Sequence, residues 1–415
     1  MVHRRLKPLL YLICILADFC GFVVVFAVSR NLAEQQESLW YLGLAGGAFA
    51  GSSGVANVLG GWVSHRFDSR IVFLFGALTV LLAVVACGTA DTSTAWFLPR
   101  YCLLGVGLGS VYPTLIGWLN RDQDAHANRR GVSRTLIIFC VSWNFGMMAG
   151  QMTSGALFSK GPEWAYGVAF GAAVVMLALA ILAAWLVTLS DRSQKAIRVD
   201  DASDPTQANV PELDRELLVR AAGFKRLSWI ANLGGTFGGS LIFHLLPDLA
   251  VSIGVPADNH GGLLGYWRSI VIVMYLAMHV STYWHYRFST SIIAQALGVV
   301  GLLAIAWAES ATLLFVGLTL QGLLSGYNYF SGLFYSTAGS SQERRTLAAG
   351  LHEATLAVGM SSGTILGGAL GTWFGPRVPW FFAAAVLSGL IMIQLIIWSR
   401  WQRSLQEAAS EQDVA

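Results

Sequence analysis

Twelve apolar runs, each long enough to cross a lipid bilayer as a helix, follow one another along the 415-residue chain. They fall near 8–28, 39–64, 71–89, 95–119, 134–158, 166–189, 226–247, 262–284, 290–308, 311–337, 348–373 and 379–399. A hydrocarbon core about 30 Å thick takes about 20 residues at 1.5 Å rise each, and a helix satisfies its own backbone hydrogen bonds there. Composition agrees: 55% of residues are hydrophobic and 12% charged, against about 25% charged in soluble domains. The expected fold is an all-α membrane protein. Arg4, Arg5 and Lys7 precede the first run in the manner of a secretory signal. That run is too long for a signal's apolar region, which predicts an uncleaved first helix.

Charge sets the expected orientation, because short loops rich in Lys and Arg stay cytoplasmic. With both termini inside, the cytoplasmic segments hold 21 of the 26 Lys and Arg residues, leaving Arg30, Arg100, Lys160, Arg268 and Arg377. The expected location is the cell's inner or plasma membrane. The stretch from Ser190 to Arg226 is the long polar interruption, and it predicts a division into an N-terminal bundle 1–190, a cytoplasmic linker 191–225 and a C-terminal bundle 226–415. A net charge of +3 without a basic block among exposed aromatics points away from nucleic acid. Cys14, Cys20, Cys87, Cys102 and Cys140 lie inside apolar runs with no CxxC spacing, as packing residues do. No metal site is expected, nor a cofactor.

The halves repeat. Gly146-x-x-x-Gly150-Gln151-x-x-Ser154-Gly155 in the fifth run recurs 213 residues later as Gly359-x-x-x-Gly363-Thr364-x-x-Gly367-Gly368. Gly105, Gly109 and Tyr112 recur 217 residues on as Gly322, Gly326 and Tyr329, and the loop at Arg66 recurs at Arg287. A duplicated unit of six helices gives two halves of the same orientation.

The loop after the second run reads Gly61-Trp62-Val63-Ser64-His65-Arg66-Phe67-Asp68-Ser69-Arg70. It resembles the Gly-x-x-x-Asp-Arg-x-Gly-Arg-Arg loop of the major facilitator superfamily at Gly61, Arg66 and Arg70, with His65 and Asp68 departing from it. The fifth run is similar to that family's Gly-x-x-x-Gly-Pro-x-x-Gly-Gly signature of proton-coupled antiporters at Gly146, Gly150 and Gly155, with Gln151 in place of proline. The resemblance spans essentially the whole chain. It implies twelve transmembrane helices in two pseudo-symmetric six-helix bundles, a monomer, and alternating access to a central cavity. It also implies that Gly61, Arg66 and Arg70 form a cytoplasmic gate loop. Glycines at i, i+4 and i+8 let helices approach closely, so Gly146, Gly150, Gly155, Gly359, Gly363 and Gly368 are expected at a sliding seam.

Polar residues are costly in hydrocarbon, so those inside runs map the interior. Asp18 lies ten residues, about 15 Å, into the first run and hence near the midplane. Asn144 and Gln321 lie at similar depth; Arg268, Asn328 and Glu353 complete the expected substrate and ion pathway. His244 and Asp248 read as a solvated pair at the outer surface, His279 as an interfacial residue, and Arg100 as a snorkelling one. Gly326-Tyr327-Asn328-Tyr329-Phe330 is either a stacking patch or an interfacial aromatic belt. The chain lacks the Gly-x-x-x-x-Gly-Lys-Ser/Thr loop of ATPases. Gradient-driven movement of a small solute is therefore expected, with a proton as coupling ion carried by Asp18 or Glu353. A lipid or lysolipid flippase and a non-transporting sensor or scaffold are the rival classes. A membrane enzyme ranks below both.

Overall fold

The computed structural model describes residues 2–120, 129–198, 212–338, 340 and 345–414. They form thirteen helices and no strand among the described residues. The first half holds α1 (Val2–Glu34), α2 (Leu39–Arg66), α3 (Ser69–Gly88), α4 (Phe97–Asn120), α5 (Arg129–Phe158) and α6 (Pro162–Arg198). The second holds α7 (Glu212–His244), the short α8 (Leu246–Ser252), α9 (Ala257–Val280), α10 (Phe288–Ala306), α11 (Ala311–Ala338), α12 (Arg345–Phe374) and α13 (Val378–Val414).

Twelve of these match the twelve apolar runs in order, and α8 is the addition. Pro247 lies in its first turn, where the missing N–H costs nothing. Ten helices are long and apolar enough to cross a membrane by hydropathy alone. The other two long helices are α7 and α11, whose apolar average is lowered by Asn232, Thr236 and Ser240 in one and by Gln321, Tyr327, Asn328 and Tyr329 in the other. Almost all of these side chains are turned into the protein.

Local chemistry sets the helix ends. Ser38 caps α2 by accepting from the Tyr41 N–H, and Asp68 caps α3 by accepting from the Arg70 N–H at 2.9 Å. Gly161 between α5 and α6 (φ +130°) and Gly375 between α12 and α13 (φ +105°) make corresponding reversals, in a backbone region that side chains rarely enter.

Repeat symmetry is visible in what the glycines touch. Gly146 and Gly150 on α5 meet the carbonyls of Ile15 and Phe19 on α1, while Gly359 and Gly363 on α12 meet those of Leu233 and Phe237 on α7. The pairs Ile15/Leu233 and Phe19/Phe237 share one offset of 218 residues. Gly105 and Gly109 of α4 press on Ser52 and Ser53 of α2; Gly322 and Gly326 of α11 press on Ile270 and Met274 of α9.

Helices α3, α6, α10 and α13 flank the bundles. α6 presents Phe170, Val174, Val175, Ile181 and Trp185 outward, and α13 presents Met392, Ile393 and Ile396. A water-facing surface would not carry such rows, whereas lipid accepts them. Gln295 of α10 and Gln394 of α13, both fully buried, exchange side-chain hydrogen bonds of 3.1 and 2.7 Å. The five cysteines are free, four of them buried and Cys102 partly so.

Candidate functional site

The two halves meet chiefly where α2 runs along α12 and α5 along α9. On α2, Gly43, Gly46, Gly47, Gly51 and Gly54 form a face without side chains, against which Gly368, Thr364, Ile365, Ser361 and Ala357 of α12 lie. Gly155 of α5 faces Gly261 of α9 in the matching place. At the end opposite the chain termini, the Trp40 N–H donates to Thr372 Oγ1 at 2.7 Å. Deeper in, the Tyr101 hydroxyl contacts His244 Nε2 at 3.4 Å, and Phe49 stacks on Tyr101 at 5.5 Å. Phe22 and Phe243 meet across the halves at 5.1 Å. These contacts shut the protein at that end.

Two sequence expectations change here. His244 is not a solvated surface residue: at 1% exposure it sits between Gly46, Phe49 and Tyr101 in the seal. Among the expected seam glycines, only Gly155 and Gly368 lie between the halves; Gly146, Gly150, Gly359 and Gly363 lie within one half each. The helical pitch is the reason. Nine residues separate Gly146 from Gly155 and Gly359 from Gly368, about two and a half turns, so each pair points to opposite sides of its helix. The α2 glycines were not singled out from the sequence, although their close spacing was a readable signal.

Below the seal, at mid-helix, lie the buried charges. Asp18 on α1 is 3% exposed and accepts a hydrogen bond from the Tyr112 hydroxyl of α4. Arg268 on α9 is 5% exposed, with its guanidinium 4.0 Å from the ring of Trp267 and 4.8 Å from that of Phe243. Its Nη1 donates to Asn144 Oδ1 on α5 at 3.2 Å. Asn144 Nδ2 donates to the Cys140 carbonyl at 3.0 Å and to the Tyr275 hydroxyl of α9 at 3.4 Å. Arg268 and Asp18 share this zone without forming an ion pair: Asn144, which Arg268 bonds, lies two residues from Gly146, which packs on Asp18.

Further toward the termini, Tyr329 of α11 donates to Glu353 Oε1 on α12 at 3.3 Å and contacts Trp143 of α5 at 5.1 Å between ring centres. His352 is fully buried, and neither ring nitrogen has a partner. Tyr112 and Tyr329, the repeat-related tyrosines, thus each hold one carboxylate. The sequence showed their repetition but not this shared task.

Four expected pathway residues, Asp18, Asn144, Arg268 and Glu353, line this central zone. Gln321 and Asn328 point elsewhere. Gln321 Nε2 donates to the Gly298 carbonyl of α10 at 2.6 Å, and Asn328 Nδ2 to the Ala231 carbonyl of α7 at 2.8 Å, so both tie helices inside the second half. Of the stacking patch, Tyr329 reaches the central zone, whereas Tyr327 pairs with Thr290 at 2.7 Å toward α10.

In the loop after α2, Arg70 Nε bonds both Asp68 oxygens at 2.7 and 2.8 Å, and its Nη1 donates to Thr188 of α6 at 2.8 Å. These Arg70 bonds hold the Asp68 carboxyl below the usual carboxylate range. Arg66 lies over Trp62 at 5.6 Å, and a Cβ on Gly61 would meet nothing.

A model of the Major Facilitator Superfamily matches residues 9–290. The chain belongs to that superfamily. It is therefore a multi-pass membrane transporter of a family that binds small solutes. Solved structures agree on the fold. A point mutant of the nucleoside transporter NupG superposes with a TM-score of 0.68 at 12% identity, covering 94% of this chain and 99% of that one. The human organic anion transporter MFSD10 gives 0.63 at 17% identity, with coverage of 94% and 99%. A bacterial homolog of the human lysosomal transporter Spinster, described as inward-facing and unoccupied, gives 0.63 at 14% identity, covering 95% of each chain. No curated protein gives a sequence match.

Proposed function

We propose that this superfamily member is a proton-coupled secondary transporter of a small solute, working by alternating access with Asp18 as the coupling carboxylate. The observation that carries the reading is the Asp18–Tyr112 pair, a buried carboxylate at mid-helix whose hydrogen-bond partner is a neutral hydroxyl. A buried charge needs a partner or a function. A tyrosine O–H serves a carboxylate and a carboxylic acid alike, so the pair tolerates gain and loss of a proton.

Asp18 on one half shares the buried zone of Arg268 on the other, which gives protonation a means of altering how the halves attract. Residues 1–190 and 226–415 are the rocking units, joined by 191–225. Their glycine-lined faces on α2 and α9 supply surfaces that slide without side chains to unlock. The Lys and Arg distribution puts both termini in the cytoplasm, so the shut end is the outer one and the protein is closed outward. Glu353 with Tyr329 is a second protonatable pair on the cytoplasmic side.

The test is solute uptake in proteoliposomes under an imposed pH gradient. Asp18→Asn should abolish gradient-driven accumulation and preserve solute exchange. Proton-driven accumulation at the wild-type level in that variant would remove Asp18 from coupling and leave Glu353 to be tested.

A further inference from the structure

Arg268 is an incompletely compensated cation in the central zone. Placing an ion in the interior carries a desolvation penalty even after relaxation. Against this Arg268 has two aromatic faces and one hydrogen bond to the neutral Asn144. No carboxylate lies within ion-pair distance of it, and the nearby Asp18 is held by Tyr112. The Arg268 Nε is buried with no acceptor.

A neighbouring donor is in the same condition. Trp267 Nε1, on the residue stacked against Arg268, is buried without an acceptor. Native interiors leave few such groups unpaired. Here unpaired donors gather around one buried cation where α5 of one half meets α9 of the other. Gln321 Oε1 and Asn328 Oδ1, acceptors without donors, belong to residues turned toward α10 and α7. The carboxylates of the zone, Asp18 and Glu353, are held by Tyr112 and Tyr329, and the donors on Arg268 and Trp267 match an acceptor with oxygens.

We infer that Arg268 is the docking group for the carboxylate of an organic acid whose apolar body lies among Trp143, Tyr275 and Tyr329. The inference rests on the transport reading above and names its substrate class. A guanidinium edge matches a carboxylate with two parallel hydrogen bonds, and its planar fork makes such pairs stronger than a bond to an amide. The acid displaces Asn144 from Arg268, and Asn144 keeps the Cys140 carbonyl and the Tyr275 hydroxyl as partners. Tyr329 lies 6.1 Å from Tyr275 and 5.1 Å from Trp143 between ring centres, so the three rings offer a continuous aromatic wall beside the charge. Because Arg268 and Asn144 belong to different halves, a ligand that takes Asn144's place loosens the join between them.

The experiment compares matched probes on the purified full-length protein in detergent, without any gradient. Benzoate, phenylacetate, 4-phenylbutyrate and hexanoate are set against their amides at about 10 mM, with the unfolding midpoint as readout, since a ligand of the native state raises it. At least one carboxylate should raise the midpoint and its amide should not. In Arg268→Gln the response should vanish, and in Arg268→Lys the apparent Kd should weaken about tenfold, the loss of one fork bond. Equal responses to acids and amides, no response to any acid, or an undiminished response in Arg268→Gln each overturn the inference. Should Arg268→Gln fail to fold, the acid-against-amide comparison on the wild type and the Arg268→Lys titration decide alone. Failure here leaves proton-driven accumulation of other solutes untouched. Acid binding without proton-driven accumulation fails the coupling reading and not this one.

Discussion

Gly155 of α5 and Gly261 of α9 face each other so closely that a Cβ built on either would lie 2.8 Å from the other's Cα. Gly43 of α2 and Gly368 of α12 repeat the arrangement, again at 2.8 Å in both directions. The halves therefore close on each other at two backbone-to-backbone crossings related by the internal repeat.

A side chain at either crossing should act on closure and not on folding. Gly261→Leu is expected to insert and purify as the wild type does while transport falls at least about tenfold, because overpacking of about 1–3 kcal/mol acts against the closed state alone. Gly146→Leu should behave differently, since its Cβ would press on the Ile15 carbonyl and lie 3.0 Å from Asp18 Cβ inside one half. Its expected defect is lower yield and a lower unfolding midpoint. Fluorescence-detected size exclusion together with uptake separates the two behaviours, and identical profiles for both variants would contradict the assignment.

The Tyr112 hydroxyl should matter through Asp18. Tyr112→Phe removes the donor and leaves the ring, so uptake at saturating solute should decline about tenfold, the order of one hydrogen bond to a charged group. Asp18→Asn combined with Tyr112→Phe should be no worse than Asp18→Asn alone. Additive losses in that double-mutant cycle would show that the two residues act separately.

Removal of the Tyr101–His244 contact should weaken the seal. Tyr101→Phe gives up a bond of about 0.5–1.5 kcal/mol, which corresponds to a shift of about two- to tenfold in the balance between closed and open states. A cysteine introduced at Phe22, at the inner edge of the seal, should then react faster with a membrane-impermeant maleimide added from outside than the same cysteine does with Tyr101 intact. No change in rate would place the seal elsewhere.

The loop carboxylate predicts a pH dependence. Asp68 has its native pKa lowered by Arg70, so its contribution to stability is fully present above the unfolded value of about 3.9 and is lost as pH falls through the lower native value. The wild type should exceed Asp68→Asn in unfolding midpoint by a constant small margin from pH 8 down to about pH 5. That margin should shrink below about pH 4. A difference that grows on acidification would have the wrong sign for this pair.

Orientation is tested by reporters fused after Ser193 and after Ala408. Both should report from the cytoplasm, as the Lys and Arg distribution requires. Activity from the opposite side at either point would reverse the assignment of the shut end.

Much of this molecule is set by one-dimensional rules. Apolar length set the helices, because lipid leaves a backbone no other way to satisfy its hydrogen bonds. The glycine and tyrosine offsets set the duplication, and the depth of Asp18 followed from counting residues along a helix of known rise. What sequence alone left open was rotation about each helix axis. In a soluble helix the apolar stripe marks the buried face, but a membrane helix is apolar toward lipid and protein alike, so that signal is weak. Tertiary contacts therefore decided that Gly146 turns to α1 while Gly155 turns to α9, that His244 lies in a seal and not in solvent, and that Gln321 and Asn328 bond within their own half. They also decided the pairing of charges. Asp18 and Arg268 are both buried in the central zone, yet Tyr112 holds the one and Asn144 the other, because partners of buried groups are chosen by geometry across helices far apart in the chain.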